Sequence, residues 1–199
     1  FREPAWHGLG TVFTEEKTTS EMLSLANLDG WNVSNVTSMY RMFYSAAKFN
    51  GQVNTWDVGK VVNMNGIFAH NTFNQDITAW RPISLTNAGE MFYNNKYFNQ
   101  AIGSWGASTS NITSLYYTFR GSVFNQSIDA WDTSSLVNMQ GTFRDNVVYN
   151  QPMNSWNVSK VSTMRETFYN TTSFNYPLNN WVTTNLNNMS NTFSYARSF

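Results

Sequence analysis

The chain has 199 residues, zero formal net charge and a pI near 6.9, so neither nucleic-acid binding nor attraction to an anionic membrane is expected of it. Charged residues are 12% of the chain, about half the usual share, and Asn, Ser and Thr carry the polar surface instead, which predicts solubility largely insensitive to salt. The lack of cysteine excludes disulfides, thiolate metal ligands and a cysteine nucleophile, and no apolar run is long enough to predict a transmembrane helix.

Residues 1–30 do not share the pattern of the rest of the chain and read as an N-terminal capping segment. Thr19 or Ser20 starts a helix there, with Met22 and Leu25 turned inward. Leu28 then stands three residues before Trp31, and the chain enters its first coil in register. The chain begins at Phe1 rather than Met and shows no leader, so a removed leader or a longer parent chain is open.

From Trp31 onward one unit recurs. Tryptophans stand at Trp31, Trp56, Trp80, Trp105, Trp131, Trp156 and Trp181, with spacings of 25, 24, 25, 26, 25 and 25. Trp6 lies at the same distance before Trp31, but its surroundings do not fit the pattern. Five residues after most of these tryptophans comes an aliphatic (Val36, Val61, Leu85, Leu136, Val161, Leu186), followed three residues on by Met39, Met64, Ala88, Met139, Met164 or Met189. Then comes an unbroken column of Phe43, Phe68, Phe92, Phe119, Phe143, Phe168 and Phe193. The units run 31–55, 56–79, 80–104, 105–130, 131–155, 156–180 and, in part, 181–199. The fourth carries two extra residues after Trp105, and a local bulge is expected there.

The spacing of Val36, Met39 and Phe43 is i, i+3, i+7, one face of a helical turn, with Ser34 and Ser159 placed as N-caps in their units. The second half, such as 73–80, reads as a short strand and a bend. One coil cannot bury its own apolar groups, so the expectation is a solenoid of about seven coils, each with one short strand and one helical turn, the strands pairing in parallel. A β-solenoid is the alternative. A further column, Asn50, Asn74, Asn99, Asn125, Asn150 and Asn175, follows an aromatic in each unit, and the expectation is a buried structural ladder of amides.

No catalytic set stands out. His7 and His70 occur in unrelated contexts, His7 as a structural residue of the cap and His70 in a solvated loop. Asp57 and Asp132 are isolated turn residues, and there is no close carboxylate pair, phosphate-binding glycine loop or Ser-His-Asp arrangement. No enzyme activity, cofactor or metal is expected. The candidate contact surface is the variable set Gln52, Asp76, Ala101, Ser127 and Pro152 on the strand side. Seven Asn-X-Ser/Thr sequons occur, at Asn32, Asn35, Asn111, Asn125, Asn157, Asn170 and Asn188.

The segments WNVSNVTSMYRMF at 31–43, FNQDITAWRP at 73–82 and YNQPMNSWNVSKVSTMRETF at 149–168 resemble the 25-residue class of BspA-like leucine-rich-repeat surface proteins, over residues 31–199. PAWHGLGTVF at 4–13, with TTSEMLSLANLDGWNV at 18–33, resembles the N-terminal segment of a phage- and plasmid-borne family of unknown function. The first resemblance implies a leucine-rich-repeat-like solenoid on a cell or particle surface, used for adhesion or as a structural element. It implies no catalytic residues. The expected partners are a surface protein or glycan, or copies of the chain itself through the ends of the stack, with no nucleic acid and no membrane insertion. The extracellular, cell-surface or virion location follows from the same resemblance. A virion or filament subunit and an intracellular protein-binding scaffold are the competing functions.

Overall fold

A computed structural model describes residues 28–199, so the capping segment, His7 included, lies outside the described residues except for 28–30. Leu28 is buried, and its carbonyl accepts the Trp31 amide at 3.0 Å and the Trp56 indole N–H at 2.9 Å.

The expected coil, a strand plus a helical turn in a leucine-rich-repeat-like solenoid, is overturned, and so is the β-solenoid alternative. Among the described residues there is no strand and no sheet, and the one helix is a 3-10 segment, Ile102–Thr109. That helix begins just before Trp105 and takes up the extra residues of the fourth unit, with its kink at Gly106, where φ is +44°. Elsewhere the chain is built of consecutive turns. Successive units touch through isolated parallel bridges, Ser38 to Asn63, Asn63 to Asn87, and so on through Ser114, Asn138, Thr163 and Asn188.

The backbone bonding explains why neither helix nor strand forms. Alternate amides point in different directions. Met39, Arg41, Phe43 and Ser45 donate to the carbonyls of Asn63, Asn65, Ile67 and Ala69 in the next unit, at 2.8–3.1 Å. Met42, Tyr44 and Ala46 donate instead to Met39, Arg41 and Phe43, three residues back in their own unit. A helix would send every amide back four residues, and a strand would send none to its own unit. The alternation requires a left-handed residue every fourth position, as at Arg41 (φ 51°) and Ser45 (φ 56°), and Glu90 and Asn94 repeat the pair. Ser34 and Ser159 are not caps: each donates its amide and hydroxyl to the side chain of an asparagine two residues earlier, Asn32 or Asn157.

Inside, equivalent rings lie over one another. Phe43, Phe68, Phe92, Phe119, Phe143, Phe168 and Phe193 form a file with centroids 5.5–5.9 Å apart. Phe49, Phe73, Phe98, Phe124, Tyr149 and Phe174 form a second at 5.9–6.3 Å. Within a unit the two files touch face to face, as Phe68 on Phe73 at 3.7 Å. The tryptophans from the second unit onward are also pinned: like Trp56 on Leu28, the indole N–H of Trp80, Trp105, Trp131, Trp156 and Trp181 donates to the carbonyl of Val53, Ile77, Ile102, Ile128 and Met153 in the preceding unit. Burying one such ring removes enough apolar surface to be worth about 1.5–3 kcal/mol, and the files hold the units in register at the same time.

Candidate functional site

The asparagine column does link unit to unit, but as a surface feature. The side-chain oxygens of Asn50, Asn74, Asn99, Asn125 and Asn150 accept the backbone N–H of Asn74, Asn99, Asn125, Asn150 and Asn175 at 2.8–3.0 Å. Each side-chain oxygen takes the backbone N–H of its copy in the next unit rather than that copy's side chain, and all six residues are exposed or half-buried. The buried amides are others, Asn71, Asn95 and Asn146, three residues or fewer before the second ring file. Asn95 donates to the Phe73 carbonyl at 3.0 Å and the Asn71 side chain at 3.1 Å, and Asn146 donates to the Phe124 carbonyl at 2.9 Å.

Of the candidate contact set, Gln52, Asp76, Ala101 and Ser127 are exposed and Pro152 is half-buried. Asp76 accepts the Thr78 amide at 2.8 Å, and bonding to Thr78 holds its carboxyl below the usual range. The set carries no ion pair among the described residues.

The convergent chemistry lies on the face formed by the left-handed turns. Ten residues after most tryptophans is a left-handed column: Arg41, Gly66, Glu90, Tyr117, Gly141, Glu166 and Asn191. Glycine accepts this conformation freely, whereas a side chain there costs about 1–2 kcal/mol. Arg41, Glu90, Tyr117 and Glu166 bear that strain, and all four enter the same network. Arg41 lies across Gly66, where a Cβ would stand 3.0 Å from its Cγ, and reaches Glu90 two units on at 3.2 Å. Tyr117 lies across Gly141 in the same way and donates its hydroxyl to Glu166 at 3.4 Å. Glu166 is buried and also takes Arg144 and Arg165.

Tyrosines floor this network. Arg41 sits over Tyr40 and Tyr44 at 5.3 and 4.7 Å, Arg120 over Tyr93 and Tyr117 at 5.1 and 4.7 Å, and Arg144 over Tyr169 at 4.8 Å. His70 is not in a solvated loop: it is half-buried, edge-on to Tyr44 at 5.3 Å and Tyr93 at 4.6 Å. Burial lowers its pKa, Glu90 opposes the shift and Arg41 adds to it. Burial, and then Tyr117, raises the pKa of Tyr116. Burial works against the Arg144 charge, but Glu166 and Asp145 outweigh it and its pKa is raised. The face can do recognition chemistry, with forked cations held on aromatic planes and carboxylates between them. Among the described residues no three His, Asp or Glu side chains gather to hold a metal ion.

The columns that define the repeat are core columns, and this face lies between them. The signal that could have found it is the mixture of Gly, Asn and large charged residues in one column, which marks a left-handed position put to use.

Comparison with curated proteins and with solved structures gave no match. A family model does match, over residues 9–121 and again over 106–199. The chain belongs to the family described as Mycoplasma protein of unknown function, DUF285.

Proposed function

We propose that the chain is a non-enzymatic recognition module displayed on a cell or particle surface, an adhesive element of the BspA-like kind, which makes contact through its left-handed turn face. The observation that carries this reading is where the charges are. In a chain with 12% charged residues, Arg41, Glu90, Arg120, Arg144, Asp145, Arg165 and Glu166 share one face with five tyrosines. Arginine and tyrosine are the residue types that dominate binding energy at interfaces. The resemblance to BspA-like surface proteins and the Asn/Ser/Thr-rich remaining surface support it as well.

The test is retention of the purified chain by cells and by arrayed surface glycans and proteins. Specific retention is expected, and it should fall when Arg41, Arg120 and Arg144 are replaced together by Gln. Blank results on every surface, or retention indifferent to the triple replacement, would refute this use of the face.

A further inference from the structure

We infer that Arg120 is the anchor for a carboxylate on an acidic glycan, a proposal that rests on the recognition reading and names its ligand. Arg120 differs from the other arginines of the face. Arg41 hydrogen-bonds Glu90 at 3.2 Å, Arg144 bonds Asp145 at 3.3 Å as well as Glu166, and Arg165 bonds Glu166 at 3.3 Å. The Arg120 guanidinium donates no hydrogen bond among the described residues, and its nearest carboxylate, Asp145, is 3.9 Å away. That carboxylate already serves Arg144 at 3.3 Å and the Asn170 amide at 3.1 Å. Meanwhile Tyr93 and Tyr117 hold the guanidinium plane from below, and its side chain is 26% exposed. A planar, oriented fork with its donors unused is preorganised for a bidentate carboxylate.

The surroundings select the kind of carboxylate. The four arginines of the face, Arg41, Arg120, Arg144 and Arg165, are joined by Lys96, whose ammonium donates to the carbonyl of Gly121 next to Arg120; against the three carboxylates Glu90, Asp145 and Glu166 this leaves two positive charges in excess on a chain of zero net charge. Apart from Asp145 and Arg144, the half-buried polar groups beside Arg120 are neutral: Tyr93 under its guanidinium, Asn94, whose amide donates to the Arg120 carbonyl at 2.8 Å, and Tyr116. These match the hydroxyls of a sugar. An acidic peptide would gain most of its affinity from apolar anchors set into pockets, and the face offers rings already covered by guanidinium. Units that repeat along the stack also suit a polymer that repeats.

The test is calorimetric titration of the whole chain with polygalacturonate, neutral dextran and poly-glutamate. Binding to polygalacturonate, none to dextran and weaker binding to poly-glutamate are expected. Arg120→Gln should weaken polygalacturonate binding about ten- to a hundredfold, the scale of a lost charge-assisted contact. Arg120→Lys keeps the charge without the fork and should fall between. Lys60→Gln, whose ammonium is held by Asn35, should bind like the parent. Superimposable melting curves would show that the variants are folded, and Arg120→Lys decides the matter if Arg120→Gln is not. Equal or tighter binding of poly-glutamate overturns the glycan assignment in favour of a peptide. A parent chain that ignores polygalacturonate yet is retained on cells overturns the role of Arg120 while sparing the recognition reading.

Discussion

Tyr149 is the one position of the second ring file that carries a hydroxyl, and replacing it with Phe should stabilise the protein. The ring is fully buried and stacked on Phe143 at 3.9 Å, Phe124 at 6.3 Å and Phe174 at 6.2 Å, contacts that Phe would keep. Its hydroxyl is buried with no hydrogen-bond partner among the described residues. Burial, and secondarily the charge of Asp129, pushes the phenol pKa far up, so the group stays neutral at any ordinary pH. An unsatisfied buried hydroxyl costs about 1–3 kcal/mol relative to water, whereas removing one oxygen from a packed ring leaves a gap much smaller than a methyl group's. The net expectation for Tyr149→Phe is a gain of about 1–2 kcal/mol. For a domain of this size that is roughly 2–8 °C in Tm. Calorimetry and urea unfolding should agree, with the midpoint raised and the slope unchanged. A loss of stability would refute the reasoning, because it would mean that the hydroxyl has an acceptor worth more than its burial costs.

Phe92→Ala, in the middle of the first file between Phe68 at 5.9 Å and Phe119 at 5.7 Å, should cost about 3–5 kcal/mol in urea unfolding. Asp76→Asn, which keeps an acceptor for the Thr78 amide, should by contrast be nearly silent in the same assay. Gly141→Ala should destabilise by about 1–2 kcal/mol from its φ of 59° alone; the new methyl would also lift the Tyr117 ring off Glu166, a change visible in tyrosine fluorescence. His70 has a lowered pKa in the folded state, so the unfolded chain takes up its proton first. Its contribution to stability is therefore complete above about pH 6.5 and is lost as pH falls below that value. His70→Asn, which suits the left-handed φ of 55°, should flatten the melting temperature between pH 7 and pH 5.

The core was legible in the sequence because every unit repeats it. The Phe column is unbroken through all seven units, and its rings are found in a file; the aliphatic column shifts only where the fourth unit is longer. The path of the chain was not legible, for a geometric reason. Met39, Phe43 and Ala46 face inward, and so do the corresponding side chains of an α-helix, because consecutive turns closed by i to i+3 bonds bring nearly the same residues to one side. Periodicity of burial therefore cannot separate the two, and only the left-handed residues can. Those residues are Arg, Ser, Glu, Tyr, Asp and His as well as Gly and Asn, so their types gave little warning. The asparagine spacing was informative about linkage between units but silent on depth, since an amide can bond the next backbone from the surface as well as from inside. The arginine–tyrosine face stayed hidden because its residues vary among units, and an alignment built on sameness passes over them.

Magnitudes separate two explanations for the charged residues of this face, stability and recognition. Glu90 is the sharpest case. Its left-handed backbone, φ 54°, costs about 1–2 kcal/mol that Gly would not incur. Against this stands its ion pair with Arg41, whose side chain is 39% exposed against 18% for Glu90; a pair with one partner so open to water contributes about 0–1 kcal/mol once screening is counted. Glycine would in turn lose about 0.5–1 kcal/mol through the extra freedom of the unfolded chain. The terms nearly cancel, so Glu90→Gly should leave stability within about 1 kcal/mol of the parent while removing a carboxylate from the centre of the face. If the pair were a buried structural element, breaking it would cost about 3–5 kcal/mol instead. Urea unfolding distinguishes these outcomes directly. A near-neutral result, together with altered retention on cells, would assign Glu90 to recognition, since folding alone would be served as well by the glycine already present at Gly66 and Gly141. A large loss would return the whole strip to the structural account.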